Sequence, residues 1–232
     1  MGFCWFAQKE AGPADNSVTD TVMDRVGEIL SLVPAATEAL LFTPGVTRDP
    51  YLNDGQPPAL ALQLYCPSIE TLEAALAADG PLRELPALLG ENYSQQAMLV
   101  RRFPTPDPVF RVPAGAHPRT YLVAYEGTAE NLPVWLSHYL AHHATIMTRF
   151  PGVRRVEVYT RIDWCGGLPW RRVDHMQRNK VVFDDAAALT AALNSQVRHE
   201  MRADFAAFPP FSGPVSHCPM TTRILRSGTM TA

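Results

Sequence analysis

The clearest hydrophobic pattern lies in the second half of the chain. Residues 119–127 alternate apolar and polar side chains, as a half-buried strand does. Residues 131–150 then place apolar side chains at three- and four-residue steps, which indicates one buried face of a helix. Asn131 is suited to cap this helix, Pro133 fits its first turn, and the Pro-Gly pair at 151–152 ends it.

The remaining segments complete a βαββαβ order. Alternation predicts strands over 153–163, 175–183 and 215–225, and an alanine-rich pattern predicts a helix over 186–208 that ends before Pro209. This is the order of the ferredoxin-like split unit.

The first half shows the same order less clearly. The pattern predicts four strands, at 3–8, 38–43, 59–66 and 95–103. It also predicts two helical stretches, at 18–33 and 68–89. Residues 72–76 resemble 189–193, and residues 42–43 resemble 159–160, both at an offset of 117. These repeats indicate an internal duplication.

The predicted fold class is therefore α+β, with two tandem ferredoxin-like units. We expect a first unit at 1–103, a proline-rich linker at 104–118, a second unit at 119–226 and a flexible tail at 227–232, because a run of prolines suits neither a central strand nor a helix. A four-stranded sheet alone leaves a face and two edges uncovered. The two units should therefore pack as an intrachain dimeric α+β barrel, and the same logic permits a further homodimer.

Composition narrows the class of protein. The 232 residues are 47% apolar and 19% charged with a net charge of −3, which is typical of a globular domain, and the scattered Lys and Arg do not indicate nucleic-acid binding. No apolar run is long enough for a membrane span and no basic leader is evident, so we expect a cytoplasmic protein without a membrane partner. Four widely spaced cysteines favour free thiols over a disulfide framework or a zinc site.

A family resemblance rests on Tyr139-Leu-Ala-His-His143, on Arg149-Phe-Pro-Gly-Val-Arg154 and on the strand 155–159. These segments resemble the EthD-like proteins of the dimeric α+β barrel superfamily, over about the last 110 residues. The chain has Thr145 where family members often have proline. The resemblance implies a small-molecule enzyme or accessory protein of aromatic or ether catabolism or polyketide tailoring, with an inward helix histidine.

His143 is the first candidate catalytic residue, because its helical phase places it on the sheet-facing stripe with Tyr139 and Met147. A partly buried imidazole that titrates near neutrality suits general acid/base chemistry. The alternative is a core histidine bonded to a backbone carbonyl. His138 and His142 have the i, i+4 spacing of a zinc helix, but with no third ligand evident they are expected at the surface.

Polar residues also interrupt the third and fourth strands of the second half. His175 and His217 are further catalytic candidates, and alternation puts His175, Gln177 and Asn179 on one face and Arg178 and Lys180 on the other. If these polar side chains are buried, they should hydrogen-bond to a ligand, to water or to one another. The alternative is an edge strand whose polar face is exposed to solvent.

Arginines surround the loop 164–170, and guanidinium groups suit carboxylates. This loop, with Trp164, Cys165 and Trp170, could be a mobile lid or a long turn that packs its own aromatic side chains. The predicted substrate-binding residues are Tyr125, Tyr139, Arg161, Trp164, Arg171, Arg178 and Asn179.

The sequence has no GxSxG elbow, dinucleotide fingerprint, phosphate-binding loop or calcium loop, so we expect no cofactor and no metal. The leading hypothesis is a cofactor-independent enzyme of aromatic catabolism with His143 as general acid/base. Its substrate would be a carboxylated ring-cleavage intermediate or a phenolic compound, and its reaction an isomerisation or the hydrolysis of an ester. Decarboxylation, dehydration and cofactor-free oxygenation stay open. The alternatives are a non-catalytic ligand-binding or accessory protein of a catabolic oxygenase system, and a haem protein.

Overall fold

The computed structural model describes residues 2–10, 18–47, 49–52 and 54–227. The strands are β1 Gly2–Lys9, β2 Glu38–Pro44, β3 Ala61–Cys66, β4 Tyr93–Phe103, β5 Arg119–Tyr125, β6 Val153–Arg161, β7 Arg171–Arg172, β8 Gln177–Phe183 and β9 Val215–Arg226. The helices are α1 Asp20–Ser31, α2 Ile69–Leu76, α3 Leu85–Leu89, α4 Leu132–His138, α5 Ala144–Met147, α6 Ala186–Leu193 and α7 Gln196–Ala206. None of these helices is long and apolar enough to cross a membrane.

The sheet closes on itself. Strands β2-β3-β1-β4 and β6-β8-β5-β9 each have the ferredoxin-like order, and antiparallel pairing of β2 with β9 and of β4 with β6 joins them into an eight-stranded barrel. The short β7 pairs in parallel with the beginning of β4. The predicted α+β fold, an intrachain dimeric α+β barrel, is therefore confirmed.

The core has three layers, because each strand turns alternate residues to the two faces of the barrel wall. Trp5 and Ala7 of β1 pack outward under α1 and α2, whereas Cys4 and Phe6 point into the barrel. Helices α4 to α7 cover the outer face of the second unit in the same way. Residues 104–118 form neither helix nor strand, and the predicted tail lies outside the described residues beyond Ser227.

Two predicted helices are interrupted. The stretch 68–89 stops at Leu76, where Ala77 leaves the helical conformation, and a 3₁₀ turn at Pro81–Glu84, with Pro81 in its first position, leads into α3. The stretch 186–208 divides at Asn194 and Ser195, residue types that favour helix ends over helix interiors.

The helix predicted over 131–150 begins as expected, with the Asn131 side chain accepting a hydrogen bond from the backbone N–H of Val134 at 3.2 Å. Between α4 and α5 it contains a π-helical turn, Tyr139–His143. Such turns are rare and occur frequently at functional sites.

Candidate functional site

A single carboxylate holds two histidines of the α4–α5 segment. His143, at the end of the π-helical turn, donates from Nδ1 to Asp204 Oδ2 at 2.8 Å, and His138 donates from Nε2 to Asp204 Oδ1 at 3.1 Å. His143 is only 5% exposed, whereas His142 is exposed. The predicted inward phase of His143 is confirmed, and its partner is a carboxylate of α7 rather than a backbone carbonyl.

The electrostatics of His143 differ from the expectation of titration near neutrality. Burial lowers the pKa of His143 to about 4, because desolvation disfavours the imidazolium; Asp204 opposes this shift, and the charges of Arg198 and His217 add to it. The imidazole is therefore neutral at pH 7. Since Nδ1–H faces the carboxylate, the hydrogen-bond arrangement assigns the free lone pair to Nε2.

Aromatic side chains surround the imidazole. The rings of Phe208 and Tyr139 lie 4.8 and 4.9 Å from the ring of His143, and Trp135 stacks on Tyr139 at 5.1 Å. Phe208 lies in the connection between α7 and β9, and its ring helps to leave His143 only 5% exposed, so a ligand reaches the imidazole only if this packing opens.

Amide groups with unused hydrogen-bonding capacity lie on the sheet face behind Tyr139. Asn179 donates from Nδ2 to the hydroxyl of Tyr139 at 2.7 Å. Its Oδ1, and both amide atoms of the fully buried Gln177, have no hydrogen-bond partner among the described residues. Buried polar groups are usually paired, so these atoms suit a polar ligand or water. Burial also raises the pKa of Tyr139, which therefore stays protonated at neutral pH.

The predicted division of the third strand of the second half holds within β8, but His175 precedes this strand and does not share the face of Asn179. Asn179 contacts the helix layer through Tyr139, whereas Arg178 and Lys180 point into the barrel. Arg178 donates to Gln8 Oε1 at 2.9 Å and does not meet His143.

The other two candidate histidines are placed differently. His217 of β9 lies opposite Val123 on the helix-facing side of the sheet, where its Nδ1 bonds Asp54 Oδ2 at 2.6 Å. His175 precedes β8, and its backbone carbonyl accepts from the side chain of Gln96. The structure thus groups His143 with Tyr139, Tyr125 and Asn179, places His217 on the same face, and leaves His175 outside this group.

The loop 164–170 packs into the first unit. Trp170 stacks on Trp5 and Tyr93, with ring centroids 6.0 and 4.8 Å apart, and Gln95 donates to the backbone carbonyls of Leu168 and Trp170. The loop is therefore not a lid over His143, and its Trp170 packs against aromatic residues of the first unit. Three predicted binding residues, Arg161, Trp164 and Arg171, lie in or next to this loop, away from His143. Arg161 pairs with Asp174, and Arg171 pairs with Glu10. The guanidinium group of Arg172 stacks on the ring of Trp164.

Two residues near His143, Asp204 and Arg198, were not predicted from the sequence. Asp204 lies in the last turn of α7, where the helix dipole disfavours a carboxylate, and this local conflict was the available signal. Arg198 forms a buried ion pair with Asp49, from the β2–β3 connection of the first unit, at 2.8 Å. That contact joins the two units and has no local sequence pattern.

Among the described residues, no three His, Cys, Asp or Glu side chains converge as a ligand set, and all four cysteines are unpaired. A haem would need open space beside an axial histidine, but Asp204 caps Nδ1 of His143 and aromatic rings pack against it. These residues do not fit a haem.

No family model and no curated protein matches the sequence. Solved structures match it in fold. An anthrone oxidase-like protein is 14% identical with a TM-score of 0.60, covering 100% of this chain and 96% of that one. A putative monooxygenase from Fusobacterium nucleatum is 7% identical with a TM-score of 0.63, over 98% and 94% of the two chains. One from Lactobacillus acidophilus is 10% identical with a TM-score of 0.56, over 98% and 97%.

At such identities these likenesses show the fold alone. They agree with the tandem α+β barrel described above and place the chain among proteins with the dimeric α+β barrel architecture.

Proposed function

We propose that the chain is a small-molecule enzyme in which the His143–Asp204 pair moves a proton on a phenolic, enolic or carboxylated compound, by isomerisation or ester hydrolysis. The observation that supports this most directly is the 2.8 Å hydrogen bond that orients a neutral, buried imidazole. A histidine held by a carboxylate at one nitrogen presents the other nitrogen as a base. The EthD-like resemblance of the second unit supports the same assignment.

The surroundings of His143 favour a flat, unsaturated substrate. If Phe208 moves away from His143, the rings of Tyr139 and Trp135 provide stacking surfaces, because aromatic side chains prefer planar apolar partners. The unpaired amide atoms of Gln177 and Asn179 provide hydrogen bonds to a carbonyl or hydroxyl group. A ring compound bound there would present an acidic C–H or O–H to the imidazole.

In the proposed reaction, Nε2 of His143 accepts the substrate proton and later returns it to another atom, or accepts a proton from water during ester hydrolysis. Asp204 stabilises the imidazolium that forms and fixes the ring. A substrate carboxylate would reach Arg198 only in competition with Asp49, with which Arg198 forms a buried ion pair. The predicted carboxylate-binding roles of Arg161, Arg171 and Arg178 stay predictions, because these side chains have other partners here.

Proton removal from a phenol or enol also makes such a compound reactive toward oxygen. The names of the structural neighbours, an anthrone oxidase-like protein and putative monooxygenases, therefore broaden the substrates worth testing. The substrate panel should contain ring-cleavage lactones, their methyl esters and anthrone-type phenols.

The test compares His143→Gln with the matched control His142→Gln one residue away. General acid/base catalysis is worth about 10²–10⁴-fold, so we expect kcat/KM to fall by at least about 100-fold in His143→Gln and by less than about twofold in His142→Gln. Equal effects of the two substitutions would contradict the proposal. Ligand binding without turnover by the unmodified protein would favour the accessory-protein alternative instead.

A further inference from the structure

One buried cation inside the barrel has no carboxylate partner among the described residues. Arg178 of β8 is 7% exposed and points into the barrel, where its guanidinium donates to Gln8 Oε1 at 2.9 Å and lies over the ring of Phe6 at 5.1 Å. Burial lowers the pKa of Arg178 to about 10, so the side chain still carries its charge at pH 7. The charge of Glu126 opposes this shift, but that carboxylate is exposed and forms no ion pair with Arg178.

The other buried charges inside the barrel are balanced. Glu38 pairs with Arg155 at 2.7 Å, and Glu157 pairs with Lys180 at 3.1 Å. Arg178 therefore adds one positive charge to an interior whose carboxylates are already engaged. A buried charge without a partner is costly, so this position favours a negatively charged ligand.

A small cavity adjoins Arg178 at the end of the barrel where β8 and β9 begin. Its volume is about 40 Å³, which is room for about three water-sized atoms. Phe6, Phe42 and Leu122 give it a largely apolar lining, and no Asp or Glu among the described residues lines it. The thiol of Cys218 also lines it, but burial raises the pKa of this thiol to about 11, so it supplies no negative charge at pH 7.

Two residues that line this cavity have unused hydrogen-bond donors. Nε of Arg178 and Nε2 of Gln63 are buried and have no hydrogen-bond partner among the described residues. Gln63 Oε1 accepts from the hydroxyl of Tyr65 at 2.9 Å and from Lys180 Nζ at 3.1 Å, which fixes Nε2 as the free amide group. A water molecule would satisfy these donors but leave the charge of Arg178 uncompensated, whereas an anion does both.

We propose that this cavity binds one small monatomic anion, chloride, between Arg178 and Gln63. The volume suits a halide and is too small for phosphate, sulfate or an organic carboxylate. This inference goes beyond the proposed function, because Arg178 faces the barrel whereas His143 lies in the helix layer on the other face of the sheet. The anion would complete the charge pairing of the barrel interior and stabilise the folded protein.

Thermal unfolding in sodium chloride and in sodium gluconate at equal ionic strength tests this binding, because gluconate is too large for the cavity. We expect the Tm to be about 3 °C higher in chloride, since a ligand that binds only the folded state stabilises it. Crystals grown in sodium bromide should show an anomalous diffraction peak between Arg178 and Gln63. Equal Tm values in the two salts would overturn the proposal, and so would bromide peaks at the surface alone, which would indicate an adventitious ion only.

Two substitutions inside the cavity should abolish the response to chloride. Arg178→Gln removes the cation, and Gln63→Glu keeps the acceptor for Lys180 while placing a carboxylate where the anion would bind. The matched control is Arg171→Gln, which removes an exposed arginine paired with Glu10 and should leave the response unchanged.

A full chloride response in both cavity variants would overturn the inference, and loss of the response in Arg171→Gln would assign it to the protein surface instead. If Arg178→Gln gives no cooperative thermal transition, Gln63→Glu decides, because it supplies the missing negative charge from within the chain. His143→Gln should retain the full response, which separates this site from the proposed catalytic one.

Discussion

Glu38 and Arg155 occupy equivalent positions in the two units, 117 residues apart, and bond each other inside the barrel at 2.7 Å. Gln63 and Lys180 repeat this relationship at the same separation, at 3.1 Å. In a barrel made from two identical chains, equivalent positions would carry the same residue, so two glutamates or two arginines would face each other. Duplication within one chain allows the two copies to diverge into complementary partners.

The Glu38–Arg155 pair should be worth about 2 kcal/mol, between the values for exposed and fully buried pairs. We expect Glu38→Gln and Arg155→Gln each to lower the free energy of unfolding by about that amount, because each leaves a partly buried charge unpaired. The reversed pair, Glu38→Arg with Arg155→Glu, should recover at least half of the loss, since the positions are equivalent.

Urea unfolding followed by circular dichroism measures these changes. The control is Arg25→Gln, which breaks exposed pairs with Glu28 and Glu84 and should cost less than about 1 kcal/mol. A reversed pair no more stable than the single variants would show that the two positions are not interchangeable.

The fold could be predicted from sequence because strand alternation and helical periodicity are local signals that two copies repeat. The same signals placed His143 inward and His142 outward, and separated Asn179 from Arg178. Contacts between distant segments could not be predicted in this way. Asp204 meets His143 across 61 residues, and Trp170 enters the first unit because Trp5 and Tyr93 offer it a stacking surface. Such partners depend on tertiary packing, which periodicity does not encode.

The pH profile of the proposed activity should reflect the low pKa of His143. A base must be unprotonated, so kcat/KM should fall on the acid side with an apparent pKa near 4. Asp204 raises the pKa of His143, so Asp204→Asn should move this acid limb to lower pH while reducing the rate. Stopped-flow assays across pH 3–8 measure both effects, and a limb near 6.5 in the unmodified protein would contradict the assignment.

Stability should depend on His143 and His175 in a defined pH window. Burial lowers the pKa of His143 to about 4 and that of His175 to about 3, the latter with help from Arg178 and Arg171. The unfolded chain, with a histidine pKa of about 6.5, therefore binds more protons below that pH than the folded chain. The free energy of unfolding should fall as pH drops from about 6.5 toward 4, by up to about 1.4 kcal/mol per pH unit for each histidine.

His175→Gln and His143→Gln should each flatten this slope, whereas His142→Gln, at an exposed position, should not. Chemical denaturation at fixed pH steps measures the slope. An unchanged slope in both buried-site variants would mean that these imidazoles are not desolvated in the folded protein.

The loop 164–170 makes the two units unequal, because it fills the helix–sheet layer of the first. Trp170 is 2% exposed between Trp5 and Tyr93, and removal of a buried tryptophan costs about 3–5 kcal/mol. Trp170→Ala should therefore lower the free energy of unfolding by that amount. Trp164→Ala, at a half-buried position against Arg172, should cost much less.

Gly167 allows the loop to lie close against the residues that follow α2. Its N–H donates to the Leu76 carbonyl at 2.8 Å, and a Cβ at this position would lie 2.4 Å from the backbone nitrogen of Ala78. Gly167→Ala must therefore shift the loop, and it should lower stability without removing any aromatic contact surface. Because neither Gly167 nor Trp170 contacts the His143 site, both variants should retain the kcat of the proposed reaction below their melting temperatures. A selective loss of kcat in a folded Trp170→Ala protein would instead show that the packing of this loop against the first unit affects the His143 site.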